Sequence, residues 1–70
     1  MAFVEDQVVE AKKIGVDINA KKKINKGDEW YPGIILEVYN YGPCVIEFTD
    51  GSNDFIRIER SNIRITEEQK

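Results

Sequence analysis

Apolar and polar positions alternate along most of this chain with a period of two, and they do so in short runs separated by turn residues. Residues 7–14 (Gln-Val-Val-Glu-Ala-Lys-Lys-Ile) read as a first strand, with Val9 and Ala11 on one face and Val8 and Glu10 on the other. A short helix is the competing assignment. Residues 15–29 are polar, are broken by Gly15, Asn19, Asn25 and Gly27, and have the length of an insertion between strands rather than of a tight turn. Within them Val16 and Ile18 alternate with Asp17 and Asn19, the pattern of an extra ribbon. Residues 30–39 form the longest apolar element, with Pro32 near its start, where a missing amide donor does least harm, and Gly33 where another backbone can approach closely.

The turn Asn40-Tyr41-Gly42-Pro43 leads into Cys44-Val45-Ile46-Glu47-Phe48, and Asn40 and Gly42 are suited to the positive backbone angles of a tight reversal. Thr49-Asp50-Gly51-Ser52 repeats the device before Asp54-Phe55-Ile56-Arg57-Ile58, in which Ile56 and Ile58 face opposite to Phe55 and Arg57. Residues 59–62 read as one helical turn, and Ile63-Arg64-Ile65 as a closing strand before a polar tail, residues 66–70. The expectation is an all-β domain over residues 1–65. It is a five-stranded antiparallel meander curled into a small barrel, with a long loop, residues 15–29, between its first two strands.

Seventy residues allow one domain and a thin core, since a chain of this size buries only about 60% of its unfolded surface. Apolar residues at 41% and charged residues at 33% fit a globular unit that folds without a cofactor. The single cysteine, Cys44, excludes an internal disulfide and takes the inward phase with Ile46 and Phe48, as a small buried apolar group. No histidine is present, so the commonest general base and metal ligand is missing, and no metal site is expected. No apolar run approaches the roughly 20 residues of a membrane span, and the first residues lack the basic and apolar regions of a signal peptide, so an intracellular protein without membrane contact is expected. The net charge of −3 conceals an uneven distribution. Lys12, Lys13, Lys21, Lys22, Lys23 and Lys26 stand against Asp17 alone, a local +5 that could attract an acidic partner or merely blunt a sheet edge.

Taken in order, these motifs resemble the Tudor group of SH3-like barrels. Residues 3–13 look like that family's opening strand, Trp30-Tyr31-Pro32-Gly33-Ile34-Ile35 like its second, Phe48-Thr49-Asp50-Gly51 like its third strand and turn, and Ser61-Asn62-Ile63 like its closing element. An alternative alignment makes residues 16–22 the opening strand. The resemblance implies recognition of methylated lysine or arginine by a cage of aromatic rings, which stabilise a weakly hydrated ammonium by about 0.5–2 kcal/mol per good contact. Tyr31 and Phe48 fall at cage positions, and Asp50 and Asn53 where a polar residue contacts the ammonium protons. Lys13 falls where a further aromatic is expected, or Lys22 in the alternative alignment, and a cation there repels such a ligand. Trp30, Tyr39, Tyr41 or Phe55 could complete a non-standard cage, although alternation points Trp30 and Phe55 away from Tyr31.

Enzymatic readings fail for lack of parts: the chain has no Gly-rich phosphate loop, no serine elbow and no carboxylate pair in a credible pocket. Three binding readings remain. The first is a peptide reader for a histone tail or another lysine- or arginine-rich segment, methylated or not, acting through Tyr31, Phe48, Asp50 and Asn53. The second is a DNA- or RNA-binding barrel using the lysines named above. The third is a protein–protein scaffold indifferent to modification. The resemblance implies a nuclear, chromatin or ribonucleoprotein setting.

Overall fold

The inward phase set by Val9 and Ala11 continues one step further than a strand of apolar residues would carry it, to Lys13, and that step shapes the whole sheet. The computed structural model describes residues 3–40 and 42–66. Tyr41 and most of the expected polar tail, residues 67–70, lie outside the described residues. Among the described residues seven strands are formed: β1 (Val8–Ala11), β2 (Ile14–Asp17), β3 (Lys22–Asn25), β4 (Tyr31–Val38), β5 (Cys44–Phe48), β6 (Phe55–Ile58) and β7 (Ile63–Ile65), with a single 3-10 turn at Arg60–Asn62. All neighbouring strands are antiparallel, in the order β3-β2-β6-β5-β4-β1-β7.

The expected count of five strands is therefore exceeded by two. The single strand expected over residues 7–14 is split at Lys12 and Lys13, and the segment read as a long loop folds as the hairpin β2–β3. Both departures have one cause. The Lys12 amide donates to the Asn62 carbonyl while the Lys13 side chain turns inward to carboxylates, so the chain leaves β4 and pairs instead with β6, Gly15 lying opposite Ile58 and Val16 opposite Arg57. Asp17 then caps the reversal by accepting from the amides of Asn19 and Ala20, and Lys21 takes the left-handed backbone, φ 58°, that closes it.

This connection forces the sheet to curl. Ala11 and Ile14 are three residues apart and so within about 11 Å of each other, yet β1 and β2 are separated in the sheet by β4, β5 and β6. Four strand spacings on a flat sheet amount to about 19 Å. The core is the concave side: Val9, Ala11, Ile35, Cys44, Ile46, Phe48, Ile56, Ile58 and Ile63 are buried there, with Phe3, Ile24, Tyr31 and Val38 packed against them. Burial pushes the Cys44 thiol pKa up, which suits an apolar role. Gly33 permits close approach at the middle of the sheet, where an added Cβ would stand 2.6 Å from Ile46 Cγ2. The reversal after β4 does not use a positive angle at Asn40. It is held by Arg60, whose guanidinium donates to the Gly42 carbonyl at 2.7 Å and the Tyr39 carbonyl at 2.6 Å. No helix among the described residues is long and apolar enough to cross a membrane.

Candidate functional site: an ammonium recess filled by Lys13

The end of β1, the start of β4, the end of β5 and the turn before β6 converge on one point, the ammonium of Lys13. Tyr31 is presented from β4 by its pairing with Ala11, and Phe48 from β5 by its pairing with Gly33. Their rings meet edge to face, 6.4 Å apart at 85°. Lys13 Nζ lies over both, 4.6 Å from the Tyr31 centroid and 5.0 Å from that of Phe48.

The turn supplies the counter-charges. Lys13 Nζ donates to Asp50 Oδ2 at 2.6 Å, to Asp54 Oδ2 at 3.0 Å and to Ser52 Oγ at 3.0 Å, which uses all three ammonium protons. The turn is itself cross-braced. Ser52 donates from its amide and its hydroxyl to Asp50 Oδ1, and the Asp54 amide donates to Ser52 Oγ. Gly51 at φ 95° and Asn53 at φ 60° provide the left-handed backbone that lets residues 50, 52 and 54 face the same point. A second cation, Lys26, reaches Asp54 at 3.7 Å from the rim, and its amide donates to the Lys13 carbonyl.

Lys13 is only 4% exposed, and burial opposes its charge, but hydrogen bonds to Asp50 and Asp54 and the charges of those two carboxylates prevail and raise its pKa above the ordinary lysine value. Burial likewise works against the Asp50 carboxylate, yet the bonds from Lys13 and Ser52 bring it down to about 2. Asp54 is lowered chiefly by its bond from Lys13. All three groups are thus held in their charged forms across the neutral range.

The recess contains three of the four residues singled out from sequence, Tyr31, Phe48 and Asp50. Asn53 is not among them: it stands exposed in the turn, and Ser52 and Asp54 hold the positions beside the ammonium. Lys13 is corrected twice. It is no missing wall that repels a ligand but the cation the walls hold, and being buried it contributes nothing to a basic surface. The signals for this were its place in the Val9-Ala11-Lys13 alternation and the two aspartates four residues apart across an Asp-Gly turn.

The other rings lie elsewhere. Trp30 is half-buried, with the Arg64 guanidinium 4.2 Å and the Lys12 ammonium 5.2 Å from its centroid, and Arg64 is fixed there by Glu10 at 2.7 Å. Tyr39 is exposed and donates to Glu37 at 2.7 Å, which raises its pKa, while Phe55 is half-buried on β6. Neither Trp30, Tyr39 nor Phe55 contacts the Lys13 ammonium, and Tyr41 lies outside the described residues. Lys21, Lys22 and Lys23 are exposed on the β2–β3 hairpin.

No group of three or more His, Cys, Asp or Glu side chains among the described residues is placed to hold a metal ion. Comparison of the chain with protein-family models, curated proteins and solved structures gives no match.

Proposed function

We propose that this chain is a non-enzymatic protein-binding module, an SH3-like barrel of Tudor type, that engages its partner without reading lysine methylation. One observation carries the second half of the reading: the aromatic and acidic recess in which such a domain would seat a methylated ammonium holds the protein's own Lys13. Three hydrogen bonds and two ring contacts would have to be given up to admit another cation, while an incoming trimethylammonium, having no N–H proton left, would regain only the ring contacts.

The barrel reading is supported by the two-residue passage from β1 to β2, which curls the sheet, and by the resemblance in motif order. The binding reading is supported by the small size of the chain and by a sequence without histidine. The nucleic-acid alternative loses one of its six lysines, Lys13, which is buried in the recess, while Lys12 lies over Trp30 and Lys26 beside Asp54.

The test is an amide chemical-shift titration of the labelled domain with a trimethyl-lysine histone peptide and with its unmodified twin. The two peptides are expected to act alike and to leave Tyr31, Phe48 and Asp50 unmoved. Shifts at those residues with the methylated peptide alone would overturn the reading.

A further inference from the structure

Apart from the Lys13 recess the domain carries a groove, which shares no lining residue with that recess. It lies where the β2–β3 hairpin meets β6 and the start of β5, and measures about 470 Å³. Its floor is apolar, formed by Ile14, Val16 and Pro43, all half-buried. Residues directly opposite one another in an antiparallel sheet share a face. Lys23 and Arg57 are the two cross-strand neighbours of Val16, so they stand on either side of it, on its face.

Four of the molecule's other cations are engaged by carboxylates. Lys13 and Lys26 meet Asp54, Arg64 meets Glu10, and Lys12 comes to 4.0 Å from Asp28. Lys23 and Arg57 make no ion pair among the described residues, and both are exposed. Two neighbouring cations flanking an apolar residue repel each other, and an anion seated between them relieves that repulsion. Glu59 is the one carboxylate on the groove wall. Lys22, which is exposed on the same edge strand, extends the positive field.

The Arg57 guanidinium also lies 5.8 Å from the centroid of the Tyr39 ring, which leaves its charge without a carboxylate partner. From this pairing of an apolar floor with two cations that lack an ion pair we infer that the groove is the docking site for an extended, acidic segment of a partner protein. Apolar side chains of the segment settle on Ile14, Val16 and Pro43, and a carboxylate lies between Lys23 and Arg57. The inference rests on the reading of the chain as a protein-binding module and adds to it the place and the chemistry of the partner. A polynucleotide would match the charge but not the floor, which presents aliphatic groups where bases need aromatic faces to stack on.

The test uses acetylated hexapeptides in which Glu or Lys alternates with Leu, together with oligothymidylate of similar length, titrated into the labelled domain. The acidic peptide is expected to shift Ile14, Val16 and Arg57 amides, with a response that weakens as salt is raised. Lys23→Glu, a change on an exposed edge position, is expected to keep the fold and weaken that binding, and the double variant Lys23→Glu/Arg57→Glu to weaken it about tenfold or more and to favour the lysine peptide. Binding by the lysine peptide at another surface of the wild type would overturn the inference while leaving a protein-binding module. No response to either peptide would count against both. Shifts at these residues with oligothymidylate alone would replace the inference with a nucleic-acid site.

Discussion

Replacing Lys13 by Met keeps the length of the side chain over Tyr31 and Phe48 and removes only its charge and its three donors. Asp50 and Asp54 are then left facing each other across a recess without a cation. Taking away one partner of a fully buried ion pair costs about 3–5 kcal/mol. Here the Asp50 and Asp54 side chains keep 19% and 18% of their exposure, so water screens part of the loss, and a cost of about 2–3 kcal/mol follows near pH 7. An unfolding entropy of about 2.1 cal/mol/K per residue, taken over this chain, converts that to a fall in Tm of about 13–20 °C. The assay is urea and thermal unfolding followed by circular dichroism, at about pH 7 and again near pH 2. The sign with pH is fixed by the carboxylates. Their pKa values are lower in the folded protein than the ordinary 3.8, so the stability they confer is present above that value and is lost as the pH falls through the folded one, about 2 for Asp50. The gap between wild type and K13M must therefore narrow sharply on acidification. A variant within about 0.5 kcal/mol of wild type at neutral pH, or a gap that persists near pH 2, would refute the reasoning.

Lys13 makes a matching prediction at the alkaline end. Its pKa is raised from 10.5 on folding, so its contribution is complete below that value and disappears as the pH climbs through the folded one; wild type should lose stability above pH 10.5 that K13M has already lost, as measured by urea midpoints. Gly15 lies where β2 pairs with β6, and a Cβ there would stand 2.0 Å from the Arg57 carbonyl oxygen. Gly15→Ala should cost about 1–3 kcal/mol and, in hydrogen exchange, should abolish protection of the Ile18 amide, which donates to Phe55 across that same junction.

Much of the fold could be read from alternation and turn chemistry, and the parts that could not share a physical reason. β5 and β6 were legible because Ile46, Phe48, Ile56 and Ile58 mark the inward phase on either side of Asp50-Gly51, and a turn with glycine at a left-handed position fixes the register. The 3-10 turn at residues 60–62 and the closing strand were legible for similar reasons. The split between β1 and β2 was not. A lysine in the inward phase reads as the place where a strand reaches solvent, and only the return of Asp50 and Asp54 from nearly forty residues away makes it a buried group. The same limit applies to the recess. Tyr31, Phe48 and Asp50 announce themselves by type and position, whereas the preference for Asp54 and Ser52 over Asn53 depends on which way a five-residue turn faces its residues. A pattern of hydrophobicity carries the period of a strand; it does not carry the destination of a charge.

The measurement that bears most directly on the account is detection of the lysine side-chain ammonium groups by nitrogen-15 NMR in the intact domain. The account requires one lysine, Lys13, to give a separate, slowly exchanging ammonium signal near neutral pH, with proton contacts to the Tyr31 and Phe48 rings. Loss of every lysine ammonium signal to rapid exchange with water, with no ring contacts to Lys13, would contradict it.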